Sequence, residues 1–136
     1  MTTILETTPL AAVDTAAARP PQVRATLAVT ISDFDGGVLV RIEGDAGIVG
    51  LEKLEVALAR VLARRTLLAV LDLSHLTIVS SLAIGQLVRL RRDLNRWNGR
   101  VKIASCPPAI RETLHTAGVA DFFGFHASVE EALSAA

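Results

Sequence analysis

Few side chains in this sequence are equipped for chemistry. It has one cysteine, Cys106, and three histidines, His75, His115 and His126. The histidines are scattered without the spacing of a metal site. Asp45 has no second carboxylate or histidine at a ligand spacing nearby, so it reads as a turn residue rather than a metal ligand. Cys106 stands beside Pro107-Pro108. Nothing in the sequence brings His115 to it as a base, so a bystander thiol is expected. A Ser81–His115 dyad would call for a G-x-S-x-G elbow around the serine, and none is present. No Gly-rich loop of the Walker or dinucleotide type occurs. The expectation is therefore no catalytic residue, no cofactor and no metal.

The pair Ser80-Ser81 is more informative. It lies in LLAVLDLSHLTIVSSLAIGQLVRL, residues 67–90, where a strand pattern becomes a helix pattern. Leu67 to Leu71 form a continuous apolar run, which suits a strand buried on both faces. Asp72 and Ser74 break the run with side chains that bond locally to backbone. Leu76–Val79 can form a second short extended piece. Ile84, Leu87, Val88, Arg91 and Leu94 then fall at helical spacing. Ser80 or Ser81 thus stands at a helix start, where backbone N–H groups lack intrahelical partners. One reading is a helix cap. The other is a phosphorylation site, because a phosphate there would face unpaired amides and the positive end of the helix dipole.

These residues need elements to hold them, and composition says one core is available. The chain has 136 residues, 51% hydrophobic and 21% charged, which is globular and of single-domain size. Only 4% are aromatic, so Leu, Val, Ile and Ala fill the core. The formal net charge is zero, with no global attraction to nucleic acid or anionic membrane. No apolar run approaches the ~20 residues of a membrane span. The unpaired cysteine fits a reducing, cytoplasmic setting. Residues 1–25, rich in Thr, Ala and Pro, read as a flexible tail ahead of a domain at 26–136. Glu6 and Asp14 and the lack of a basic leader argue against a signal peptide.

Within the domain, Leu27, Val29 and Ile31 alternate with polar or small residues, as do Val38, Val40 and Ile42. Asp33–Gly37 between them is turn chemistry, so the two runs predict a hairpin. Leu51, Leu54, Leu58, Val61 and Leu62 predict a helix over 48–64, with Arg64-Arg65 complementing its negative end. The second helix spans about 82–97. Its Arg89, Arg91, Arg92 and Arg96, with Arg100 beyond it, form either a solvated face or a docking surface for an acidic partner. Trp97 reads as an anchor, because no second aromatic accompanies it as a base-stacking platform. Asn98-Gly99 stops the helix. Val101, Ile103 and Ser105 alternate with Lys102, Ala104 and Cys106, giving another strand. A helix follows with Pro108 in its first turn and Gly118 at its end. Three of the four phenylalanines cluster at 122–125 and are expected to pin the last helix to the sheet. Ser128-x-x-Glu131 is a capping box for that helix.

The stretch Asp72-Leu73-Ser74 through Gly85 resembles the signature of the STAS domain, as in bacterial anti-sigma-factor antagonists. Asp72, Leu73 and Ser74 match directly. Ser81 falls on the family's phosphorylatable serine and Gly85 on its second glycine. Ser80 replaces the usual Asp, Leu82 the following Ser or Thr, and Ala83 the first Gly. Arg111, Leu114 and Gly118 match a further family spacing, and Ser128–Leu133 spells its terminal S-x-x-E-A-L.

The resemblance implies an α/β fold: a STAS-like mixed β-sheet of four to five strands packed against about four α-helices. It implies a non-enzymatic, phosphorylation-controlled partner switch in transcription. The unmodified form would bind an anti-sigma factor with serine-kinase activity. Phosphorylation at Ser81, or alternatively Ser80, would weaken binding, and a serine phosphatase would reset it. The implied partner surface comprises Asp72, Ser74, Ser80, Ser81, Leu82, Gly85 and Arg89. A homodimer is compatible with the resemblance, whereas nucleic-acid binding and membrane insertion are not expected. A stressosome-like scaffold, a transporter subunit and, from another class, an enzyme are the alternatives.

Overall fold

The computed structural model describes residues 26–134, so the expected tail at 1–25 lies outside the described residues. The first two strands, β1 (Ala28–Phe34) and β2 (Gly37–Ala46), form the expected antiparallel hairpin, with Ile31 opposite Val40. Asp35-Gly36 is the turn; Gly36 sits at φ +103°, a backbone shape that side-chain-bearing residues resist. The chain then builds α1 (Leu51–Ala63), β3 (Leu68–Asp72), β4 (Leu76–Val79), α2 (Ser81–Asn95) and β5 (Arg100–Ala104). It ends with α3 (Pro108–Thr116), β6 (Gly124–His126) and α4 (Val129–Ser134).

The strands lie in the order β1-β2-β3-β5-β6, and every pairing after the hairpin is parallel. β2 holds β3 along Val38–Arg41 and then β4 along Gly44–Ala46, with a register shift between Gly44 and Asp45. The sheet therefore has six strands rather than four to five, because the four-residue β4 and three-residue β6 both join it. The extended piece expected at Leu76–Val79 is thus a full member of the sheet.

One sheet face carries Val38, Val40, Ile42, Ala69, Leu71, Val101 and Ile103. It packs under Leu54, Leu58 and Val61 of α1, Ile84, Leu87 and Leu90 of α2, and Ile110 and Leu114 of α3. Each fully buried Leu or Ile there contributes about 1.5–3 kcal/mol. The other face has a smaller cluster, in which Val70 and Ala104 meet Ala132 of α4, with Phe34, Leu39, Leu68 and Val129 packed around them.

That second cluster corrects two expectations. β5 is buried on both faces at Val101–Ala104, because α4 covers the side that alternation left open. Its Lys102 is buried, and the ammonium donates to the Ala132 carbonyl (3.1 Å), near the negative end of α4. Phe123 and Phe125 pack into the main core, and it is Phe34 that packs with α4.

The helix ends behave mostly as their residue types suggest. Arg64, just after α1, donates to Asp33 of β1 (2.8 Å) and to the last-turn carbonyl of Arg60 (3.2 Å). Arg65 has already left the helix at φ 50° and lies over the Trp97 ring, 4.9 Å from its centroid. Trp97 is an anchor: its indole N–H donates to the Thr66 carbonyl (2.8 Å). At α4 the Glu131 amide donates to Ser128 Oγ (3.1 Å), while the Glu131 carboxylate accepts from the Ala127 amide (2.9 Å). The capping box thus closes one residue earlier than its usual form.

Candidate functional site

The strand β4 delivers the chain to the mouth of α2, and the two serines there divide the work. Ser80 is extended (φ −85°, ψ 164°) and caps the helix. Its Oγ accepts from the Ala83 amide (3.1 Å), and its own amide donates to the Ala46 carbonyl (3.0 Å), tying the mouth to the end of β2. Ser81 is the first helical residue and is exposed. The first turn of α2 holds no acidic side chain, so the positive end of its dipole is uncompensated. Replacing Ser80 with Ala removes the cap and is expected to cost about 1 kcal/mol. Thermal denaturation should show this as a fall of roughly 3–5 °C in Tm.

Two large apolar side chains flank this mouth in solvent: Leu82 is 55% exposed and Ile78 is 52% exposed. Ser81, Gly85 and Arg89 follow at steps of four, so they share one face of α2. Gly85 is exposed, and a Cβ there would meet nothing within 4 Å. The monomer therefore gains no packing from a glycine that costs about 1 kcal/mol relative to Ala in a helix interior. Beside this face, a groove of about 500 Å³ runs between α2 and the segment after α3, with Ile84 and Val88 on one wall and Ala117 and Val119 on the other.

Asp72 works from behind the site. It is 3% exposed. One carboxylate oxygen accepts from the Ser74 amide (3.0 Å), and the other accepts from Arg41 Nε (3.1 Å). Burial pushes the Asp72 carboxyl up, but the Ser74 hydrogen bonds and the Arg41 guanidinium outweigh it and hold the carboxyl below its ordinary value. The turn it braces closes with the Leu76 amide on the Leu73 carbonyl (3.0 Å) and leads β3 into β4. Asp72 is thus a brace for the turn and is too buried to be part of a partner surface, which corrects its expected place there. Ser74 is exposed, and its Oγ lies 3.1 Å from His75 Nδ1.

The remaining sequence candidates lie apart from this mouth. Asp45 accepts from the Gly47 amide (2.8 Å), as a turn residue does. Burial pushes the Cys106 thiol up to about 11 despite Arg111, the opposite of an activated thiolate. His115 is exposed on α3, and among the described residues no hydrogen bond joins it to Ser81. Among the described residues no three His, Cys, Asp or Glu side chains gather as a metal would require. The arginines of α2 split: Arg92 and Arg96 approach Asp93 (4.0 and 3.8 Å), Arg91 stacks on Phe122, and Arg89 stays exposed beside the groove.

Sequence reasoning missed the Arg41–Asp72 pair and the groove, since each joins residues far apart in the chain. It also missed Ile78, whose exposure depends on which side of β4 faces solvent.

Fold and site define a small α/β domain built on a mixed sheet, with an exposed serine at the mouth of its second helix. The model for the STAS domain matches residues 22–132, and the chain belongs to that family. It is similar to an anti-sigma factor antagonist from Mycobacterium paratuberculosis: 26% identity, TM-score 0.73, 80% of this chain and 92% of that one covered. The phosphorylated form of the Bacillus cell-fate determinant SpoIIAA shares the fold at 18% identity and TM-score 0.63, over 78% of this chain and 96% of that one. A sulfate transporter family protein from Wolinella succinogenes shares it at 12% identity and TM-score 0.61, over 71% and 80%. Comparison with curated proteins returned no match. Among the described residues no helix is long and apolar enough to cross a membrane.

Proposed function

We propose that this domain is an anti-sigma-factor antagonist that works as a phosphorylation-controlled partner switch. The unmodified domain binds an anti-sigma factor that is also a serine kinase and so frees a sigma factor. The kinase phosphorylates Ser81, the complex dissociates, and a serine phosphatase restores the hydroxyl. The observation that carries this reading is the division of labour at the mouth of α2. Ser80 is spent on the cap, while Ser81 is exposed beside Leu82 and Ile78. The apolar pair supplies a contact surface, and Arg89 and Ser74 border it.

A phosphate on Ser81 adds a charge of about −1.5 to −2 to that surface. The free amides and dipole of α2 keep it compatible with the fold. A closed interface would have to desolvate it, which is costly for an unpaired charge.

The test is reconstitution with the purified anti-sigma kinase and ATP, with the modified residue located by mass spectrometry. One phosphate is expected, on Ser81. Ser81→Ala should accept none, and Ser80→Ala should still accept one. Phosphate on any other residue, or none in the wild type, overturns the reading.

A further inference from the structure

β1 closes one side of the sheet, and among the described residues nothing pairs with its outer edge. Sheets commonly guard such an edge with a lysine, a proline, a bulge or a very short strand. β1 has none of these. Its seven residues read AVTISDF and keep an unbroken register on β2. Its one charge, Asp33, is taken up by Arg64 (2.8 Å).

α1 lies along the same edge, fixed there by Lys53, whose ammonium donates to the Leu27 carbonyl (2.9 Å). A groove of about 520 Å³ runs between helix and strand. Val29, Val49, Val56 and Ala57 line it, with Glu52 and Arg60. Val49 is 96% exposed and Val56 49%, so much of this apolar lining is left in water. Glu52, Val56 and Arg60 stand four apart and share one exposed stripe of α1. Among the described residues neither Glu52 nor Arg60 forms an ion pair. An acid, an apolar residue and a base at equal steps are complementary to the same stripe read backwards. A two-fold axis beside Val56 sets Glu52 of each copy opposite Arg60 of the other. That axis also lays two β1 strands antiparallel, the direction in which an edge strand pairs with itself.

We propose that two copies of this chain join edge to edge at β1, with α1 against α1 and Val56 at the axis. The free backbone groups of the two strands continue the six-stranded sheet of one copy into the other. Val49 and Val56 leave water as the grooves close on each other. The crossed Glu52–Arg60 contacts fix the register and exclude partners without that pattern. The interface uses no residue of the Ser81 mouth, so it stands or falls apart from the switch.

The test is sedimentation equilibrium of the full chain, which should show reversible dimerisation in the micromolar range. Glu52→Arg and Arg60→Glu each turn two attractive contacts into two repulsive ones. Each alone should weaken the dimer about tenfold. Mixed in equal amounts, the two variants should pair with each other at wild-type affinity, since each supplies the charge the other lacks. Circular dichroism checks that each variant folds. Val56→Asp, which sets two carboxylates together at the axis, stands in for a reversal that does not, and should weaken the dimer at least as much. Amide exchange along β1 should slow as concentration rises. A chain that stays monomeric at millimolar concentration overturns the proposal. So does a dimer indifferent to these substitutions, or reversals that mixing does not rescue. Protection of β1 amides at every concentration would mean that residues 1–25 cover the edge instead, and overturns it too.

Discussion

If the proposed switch holds, Ser81→Asp should weaken binding of the anti-sigma partner by roughly thirtyfold or more, while Ser81→Ala should leave it nearly unchanged; the scale follows from burying an unpaired interfacial charge. Aspartate carries one charge where a phosphate carries nearly two, so the variant gives a lower bound on the effect of modification. Stability separates this outcome from simple damage. Position 81 opens α2, whose first turn has no acidic residue, and a carboxylate there is favourable by about 0.3–1 kcal/mol. The variant should therefore melt no lower than wild type while losing its partner. Calorimetric titration beside a thermal melt reads both. Wild-type affinity in Ser81→Asp, or affinity lost only in step with stability, would end the switch proposal.

Asp72→Ala should destabilise the domain by about 2–3 kcal/mol, a large share of the total for one domain. It strands the Ser74 amide and leaves Arg41 unpaired. The Arg41 side chain is 49% exposed, which moderates the loss because water re-solvates it. The pH dependence has a definite sign. The folded carboxyl titrates below the unfolded value of 3.8, so in that window the unfolded chain binds more protons and stability rises with pH. The contribution is complete above the unfolded value and is lost as pH falls through the folded one. Denaturant titrations at stepped pH should show Asp72→Asn converging on wild type in strong acid. A constant gap across that range would mean that the carboxylate charge is not what braces the turn. Because the turn aims β4 at the mouth of α2, Asp72→Ala should also slow phosphorylation at Ser81, a residue it does not touch.

Much of this architecture was legible because the deciding interactions are local. The helical period of Leu51 to Leu62, the Asp35-Gly36 turn and the Ser128/Glu131 cap each depend on neighbours within a few positions. The serine at the start of α2 was legible for the same reason, since a cap is made within one turn. Residues whose role depends on distant chain were not. Asp72 was legible as a residue that bonds its local turn, as the Ser74 amide shows, but its place on the partner surface came from the resemblance and is excluded by its burial beside Arg41 of the neighbouring strand. Lys102 read as the polar side of a half-exposed strand, because nothing near it in sequence announces α4. Of the phenylalanines at 122–125, Phe123 is buried and Phe125 half-buried against the main core while Phe122 is exposed, a division that depends on strand pairing. Whether Gly85 and Arg89 meet a partner is likewise a property of a second molecule.

The ten residues of β2 also set the order in which the chain can fold. This strand is synthesised early, yet two of its three partners, β3 and β4, come only after α1. Until they leave the ribosome, β2 has a bare edge and an uncovered row of Val38, Val40 and Ile42. Parallel pairings close long loops and are slow, and unpaired edges of this kind invite aggregation. Chains stalled before Leu68 are therefore the ones most in need of a chaperone.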